Sequence, residues 1–388
     1  MRRELLISAG PGEWRAALLE DGTPVALRVE RGDGIEFGSI HLGRVTRLLP
    51  SLGAALVDIG GDRPAFLPHS QIHPRGRRFH EGERLLVQIR REAQGGKAPQ
   101  VTTATVMPAD LTIDPAYLEP PARLLPAPSF AAALAGVFHG LDWIGIDEPA
   151  AIPQTRAAFP ASVVEHLPED EWPFELDALF ETALSTTLAL PGSGSVHFEP
   201  THAATMIDVD SGSPESGSPE RTALATNLAA AETIARHIRL RNLGGAIVID
   251  FVGVDDRGAR DRVRNALARG LEADPMEPQI LGWTRIGHLE LVRRRTRPLA
   301  DALLEPASDG PLIKTAATVA LEALRLLRRE ARARPGRTWR LTVGPDVAAA
   351  LAGEVARALR DLEQRFGRPI AIAEDANLGR RQFLIAPL

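Results

Sequence analysis

Two short acidic patterns in this 388-residue chain could do chemistry: Ile207-Asp208-Val209-Asp210-Ser211-Gly212 and Leu243-Gly244-Gly245-Ala246-Ile247-Val248-Ile249-Asp250-Phe251. Each sets a carboxylate in or at the end of an apolar, β-branched run, where an unpaired charge is costly to bury. Asp208 and Asp210 stand two apart, so in a strand both project from one face. Asp250 interrupts a run apolar enough to be a central strand. Taken alone, strand-end aspartates also serve as turn or cap residues. Gathered at one sheet edge, they are the hard oxygen ligands that magnesium prefers, and magnesium suits phosphate chemistry. Metal-assisted cleavage of a phosphodiester is therefore the hypothesis the rest of the chain must meet.

The segment between the patterns can position them. Leu224, Leu228, Ala231, Ala235 and Ile238 step by four and three, which predicts an amphipathic helix over 224–241 with Asn227, Arg236 and Arg239 on the opposite face. Gly244-Gly245 closes that helix before the next strand. Strand, helix and strand with acids at both strand ends form an α/β layout that sets the acids on one edge of a sheet. Upstream, 4–8, 13–19 and 25–29 read as three strands, with Asp21-Gly22 as the turn between the last two. Strands over 39–48, 53–59, 65–67 and 84–91, divided by Gly, Pro and Asp, suggest a small closed β-barrel. Later come a strand at 143–147, a helix over 174–188 and a turn at Gly192-Ser193-Gly194-Ser195. A turn-rich boundary is expected at 304–311, followed by a small module of helix, strand, helix and two closing strands.

Charge is segregated rather than extreme. The net charge is −5, but residues 31–106 carry eleven Lys/Arg against seven Asp/Glu, and residues 236–297 thirteen Arg against eight Asp/Glu. Residues 107–200 between them hold two Arg and fourteen Asp/Glu. Nearly all the positive charge is arginine, whose planar fork suits phosphate. The chain has no cysteine, which excludes disulfides and thiolate metal sites. No apolar stretch reaches membrane-spanning length. The cytoplasm is the expected compartment, with no membrane partner.

The stretch Gly38–Gly60 leading into Arg63-Pro64-Ala65-Phe66-Leu67-Pro68 resembles the OB-fold RNA-binding barrel of the ribosomal S-one type. Such barrels stack bases on aromatics and follow the backbone with basic groups. Phe66 is the expected platform, with Arg44, Arg47 and Lys97 as phosphate partners. An ordered string then follows: Ile144–Pro149, Leu190–Gly194, Met206–Gly212, Thr226–Arg236, Leu240–Gly245 up to Asp250-Phe251, and Leu289–Arg297. Together these resemble the ribonuclease E/G family across nearly the full length. That resemblance implies an α/β multidomain architecture. An RNase H-like subdomain (1–35 plus 107–200) would be interrupted by the OB-fold barrel (36–106). A DNase I-like α/β catalytic subdomain (201–304) and a small C-terminal α/β domain (311–388) would follow.

The resemblance also implies roles. The residues matching Asp208 and Asp250 bind one catalytic Mg2+ in that family; the residue matching Asp210 is usually an Asn that assists at the scissile phosphate. Single-stranded RNA would be cut to 5′-phosphate and 3′-hydroxyl ends. Three departures stand out. Zinc is not expected, because the family's cysteine clip is replaced by Glu305–Gly310, so any homo-oligomer would form without a zinc link. The 5′-end sensor is expected to be largely deleted, since the interval between barrel and Trp143 is short and 107–200 contains no Arg-Thr pair. Cleavage should then ignore the 5′-phosphorylation state. Finally, a basic residue near the family site falls by spacing at Glu277, with Arg285 nearby to compensate. The rival reading is a non-catalytic RNA-binding protein of the same fold, associated with the ribosome or degradosome.

Overall fold

The structure, a computed structural model, describes residues 1–31, 37–61, 63–91, 98–105, 117–201, 203–212, 218–253, 256–294, 298–307 and 310–388. Contacts divide the chain into two compact units, Glu30–Gly136 and a second unit formed by Met1–Val29 with Val137–Leu388. The protein is mixed α/β, with several sheets and a closed barrel. Among the described residues no helix is long and apolar enough to cross a membrane.

The unit Glu30–Gly136 is built on the barrel. Strand Ile40–Leu49 pairs on one side with Ala54–Asp58 and on the other with Arg84–Arg91, while Ala65–Pro68 and Gln100–Thr102 complete the ring. Alternation decides what fills it: Val45, Val57, Ala65, Leu67, Val87, Ile89 and Val101 point inward and form the core. Ala122–Leu125, which reads as loop in a segment rich in Pro and acid, adds to the Ile40–Leu49 strand outside the ring.

The other unit contains three sheets with cores. In the first, Arg3–Gly10, Glu13–Glu20 and Thr23–Arg31 are antiparallel, and Trp143–Ile146 and Val163–His166 extend the sheet in parallel. In the last, Trp339–Val343 lies between Ala371–Glu374 and Phe383–Pro387 and packs on helix Ala316–Ala333. The stretch expected as a turn-rich boundary contains strand Leu304–Pro306, which pairs with Leu312–Lys314 as a short hairpin.

Helix Ala316–Ala333 also turns charge inward. Arg328 Nη2 donates to Asp147 Oδ2 at 2.5 Å and Nη1 to the Ala9 carbonyl at 2.9 Å. Asp147, 1% exposed, also accepts from the Ala9 amide and the Ser8 hydroxyl. Arg325 pairs with Glu13, and Arg15 with Asp177. Buried charges survive only when paired and hydrogen-bonded in this way. The end of the chain is thus bonded into the sheet formed by its beginning.

The central sheet has six strands in the order Thr187–Ala189, Ser195–Pro200, Ala204–Asp210, Gly245–Asp250, Leu289–Arg293 and Gln279–Trp283. Only the middle pair, Ala204–Asp210 and Gly245–Asp250, is parallel, and helix Pro219–Leu240 crosses between them. That helix and Arg257–Leu271 bury one face of the sheet through Val196, Ile207, Val209, Ile247, Ile249, Leu289 and Leu291. The helix starts five residues earlier than the apolar spacing predicts, because Ser218 caps it and Pro219 occupies its first turn.

Two residues expected on the exposed face of that helix are buried. Arg239 forms a two-pronged bond to Glu20, at 3.0 and 2.7 Å, and Asn227 is fully buried. Arg293 is likewise internal, held by Asp274, Asn242 and the Leu243 carbonyl. The arginine excess of residues 236–297 is therefore partly structural.

His237, 1% exposed near the end of the same helix, lies against Phe198 and accepts from Arg241 Nε. Burial, then the charges of Arg241 and Arg236, hold its pKa down to about 3. In the unfolded chain it titrates near ~6.5. Below that pH the unfolded state binds a proton that the folded state refuses, so stability falls as pH drops from about 6.5 towards 3. Replacing His237 with Gln should flatten urea midpoints across that window; an unchanged slope would remove His237 as the cause.

Candidate active site

Asp208 and Asp250 are register partners on the two adjacent parallel strands, at their C-terminal ends. Neighbouring strands lie about 4.8 Å apart and in-register side chains share a face. Both carboxylates therefore project side by side, and both are exposed. Their face is the one opposite the two helices, since alternate positions Ile207, Val209 and Ile249 enter the core. The sequence layout predicted this edge, and the structure assembles it.

Asp210 follows on the same face and is exposed, with Oδ1 accepting from the Gly212 amide at 2.8 Å. The Gly192–Ser195 turn presses on this corner. A side chain at Gly194, whose φ is +100°, would meet the Asp210 carbonyl oxygen at 2.2 Å, so only glycine fits. Ser193 adds a hydroxyl bond to the Ser211 carbonyl. The glycine-serine stretch is thus a brace for the acidic strand end.

On the other side, Asn227 clamps the chain just past Asp250: its Oδ1 accepts from the Val252 amide at 3.0 Å and its Nδ2 donates to the Val252 carbonyl at 2.7 Å. A cavity of about 270 Å³ lies between these two corners and the helix start, lined by Ser211, Pro219, Glu220, Thr222, Ala223, Val252 and Gly253. Periodicity placed Asn227 at the surface; no sequence signal separates a buried polar clamp from an exposed amide on a helix.

Two histidines flank the acids. His197 is the register partner of Asp208, and its ring nitrogens meet Ser195 Oγ at 2.8 Å and Thr187 Oγ1 at 3.0 Å. His288 Nε2 lies 3.4 Å from Asp250 Oδ2. Among the described residues, no group of three or more His, Asp or Glu converges with metal-holding geometry. Two adjacent, solvent-facing carboxylates still suit magnesium, which keeps several waters and binds through one or two carboxylates plus substrate phosphates.

The spacing argument for Glu277 fails. Strand Gln279–Trp283 runs antiparallel to Leu289–Arg293, which runs antiparallel to Gly245–Asp250. Glu277 therefore sits at the far edge of the sheet from Asp250, in a turn bonded to Asp274. Arg285, exposed in the turn between Trp283 and Leu289, is at the same edge as Asp250. The basic residue at this edge is Arg285, and Glu277 takes nothing from the charge around Asp250.

In the barrel, Phe66 is half-buried on the outer surface, between inward-pointing Ala65 and Leu67. Register aligns Arg47, Leu56, Phe66 and Gln100 as one outward row. Arg44 lies one row away opposite Asp58, and its guanidinium reaches Glu119 and the Gly82 carbonyl. Lys97 lies outside the described residues. Phe66→Ala should weaken binding of single-stranded RNA by about 1–3 kcal/mol, the value of one base–aromatic stack, with little loss of stability. Leu67→Ala, by contrast, should unfold the barrel more easily. RNA titration and urea unfolding of both variants check this.

Residues 161–296, which include both strand-end aspartates, match the model of the Ribonuclease E/G family. Ribonuclease G of Escherichia coli (strain K12) is 27% identical over 485 residues, covering 99% of this chain and 99% of that protein. Ribonuclease G of Salmonella typhimurium (strain SL1344) has the same identity and coverage. Ribonuclease E of Haemophilus influenzae is 25% identical over 484 residues, covering 99% of this chain and 52% of that protein. An alignment over 485 positions is longer than the 388 residues here, so the Ribonuclease G relatives carry stretches with no counterpart in this chain.

Proposed function

We propose, from a chain that belongs to the ribonuclease E/G family, that it is a magnesium-dependent endoribonuclease acting on single-stranded RNA in RNA processing or decay. The observation that carries this reading is the in-register pair Asp208 and Asp250 on an exposed sheet edge. Those two carboxylates would hold one Mg2+, and Asp210 would position the attacking water or the phosphate. When bound, the ion would make a water nucleophilic near neutral pH and offset charge developing at phosphorus. Phe66 would stack a base, and Arg44, Arg47, Lys97 and Arg285 would contact phosphates. The barrel would act as an OB-fold RNA-binding domain, beside RNase H-like and DNase I-like parts of the cytoplasmic enzyme. Products would carry 5′-phosphate and 3′-hydroxyl ends.

A pure RNA binder has no use for two adjacent carboxylates on a face that must receive a polyanion, which favours the enzyme over the binding-only reading. The short interval between the barrel and Trp143, and the absence of an Arg-Thr pair in 107–200, support a reduced 5′ sensor in this chain. A short AU-rich RNA, supplied with 5′-phosphate or with 5′-hydroxyl, should be cut in Mg2+ at rates within a few-fold of each other. A strong preference for the 5′-phosphate would reject the reduced sensor. Tight binding without cleavage of either RNA would reject the enzyme.

A further inference from the structure

His288 is built into the edge that carries Asp250. It ends a tight turn in which the Thr284 amide donates to the His288 carbonyl at 2.7 Å, the His288 amide donates to Thr284 Oγ1 at 3.0 Å, and the Gly287 amide donates to the Thr284 carbonyl at 3.2 Å. Gly287, at φ +96°, permits that turn. The backbone of His288 is thus held at both its amide and its carbonyl. Its imidazole, with the side chain 23% exposed, comes to lie with Nε2 3.4 Å from Asp250 Oδ2.

The two flanking histidines differ in what they can offer. His197 spends both ring nitrogens on hydroxyls of its own and the neighbouring strand. His288 directs one nitrogen at a carboxylate. Carboxylates that hold metals are usually steered by a hydrogen bond to the oxygen turned away from the ion, and losing such a partner typically costs about 10–100-fold in metal affinity.

We propose that His288 is a positioning residue for Asp250: the contact of its Nε2 with Oδ2 steers the carboxylate towards a divalent ion shared with Asp208. The proposal rests on the two-aspartate metal site proposed above. Thr284, through its amide and hydroxyl, sets the imidazole in place, so the turn, Asp250 and Asp208 act as one unit.

The test is a pair of measurements on the full chain. Mn2+ binding is followed by electron paramagnetic resonance without RNA, and the Mg2+ dependence of RNA cleavage is followed separately. His288→Ala should weaken Mn2+ binding and raise the Mg2+ needed for half-maximal cleavage, each by about 10–100-fold, with the rate at saturating Mg2+ within a few-fold of wild type. His288→Gln, which keeps an N–H donor, should recover most of both losses. Undiminished Mn2+ binding in His288→Ala, or His288→Gln no better than His288→Ala, would overturn the positioning role. Asp250→Asn separates the two readings. If it abolishes Mn2+ binding while His288→Ala leaves it intact, only the role of His288 fails. If Asp250→Asn binds Mn2+ as wild type does, the metal site itself fails.

Discussion

Asp250→Asn and Asp208→Asn should each lower RNA cleavage by about 10³-fold or more, while RNA binding stays within a few-fold of wild type. The size follows from what the pair is proposed to do. An ion offsetting charge on a transferring phosphoryl group supplies several kcal/mol of transition-state stabilisation, and about 4 kcal/mol is a factor of ~10³ in rate. Each substitution removes one carboxylate charge from a pair that adjacent strands hold in register. Binding should survive because Phe66 and Arg47, the proposed RNA contacts, lie on the barrel. Single-turnover cleavage beside RNA titration reads both quantities. A loss of binding parallel to the loss of cleavage would mean that the substitutions damage the fold.

The second large effect concerns stability. Asp147→Ala should destabilise the Met1–Val29 with Val137–Leu388 unit by about 3–5 kcal/mol, because it removes the one carboxylate hydrogen-bonded to the buried Arg328 guanidinium. Arg328 is 2% exposed and hydrogen-bonded to Asp147 Oδ2 and the Ala9 carbonyl, with the Glu148 and Glu169 carboxylates farther off at 3.8 and 4.0 Å. A double variant with Asp147→Leu and Arg328→Met should recover much of that loss, since replacing both partners leaves no unpaired charge. Urea unfolding followed by tryptophan emission is suitable, with Trp14, Trp143, Trp172, Trp283 and Trp339 all in this unit. An Asp147→Ala variant as stable as wild type would show that the ionic network does not fasten helix Ala316–Ala333 to the first sheet.

What the sequence made legible was local or periodic. The i, i+2 spacing of Asp208 and Asp210, the strand–helix–strand order and the Gly244-Gly245 stop sufficed to place Asp208 and Asp250 on one edge. The resemblance to an RNA-binding barrel singled out Phe66, and the structure sets it on the outer surface between inward-pointing Ala65 and Leu67. What stayed hidden depends on partners distant in the chain. Periodicity assigns a polar side chain to solvent, yet Arg239 finds Glu20 and Asn227 finds the Val252 backbone. Counting from Asp250 put Glu277 at the site, because a count ignores that the chain descends helix Arg257–Leu271 before strand Gln279–Trp283 climbs back. The strands Gln100–Thr102 and Ala122–Leu125 are too short to carry a period. His288 shows the same limit: a histidine beside a glycine turn has no metal-site spacing until the sheet register brings it to Asp250.

The central claim is that Asp208 and Asp250 support metal-dependent hydrolysis of RNA. Its most direct test is the chemistry of the product ends from wild-type protein and a short single-stranded RNA, with Mg2+ or with excess chelator. The account predicts internal cleavage only with Mg2+, leaving a 5′-phosphate that accepts ligation and a 3′-hydroxyl that accepts extension. Chelator-resistant cleavage leaving 2′,3′-cyclic phosphates and 5′-hydroxyls would contradict it, because the RNA's own 2′-hydroxyl would then be the nucleophile and the aspartate pair would have no ion to hold.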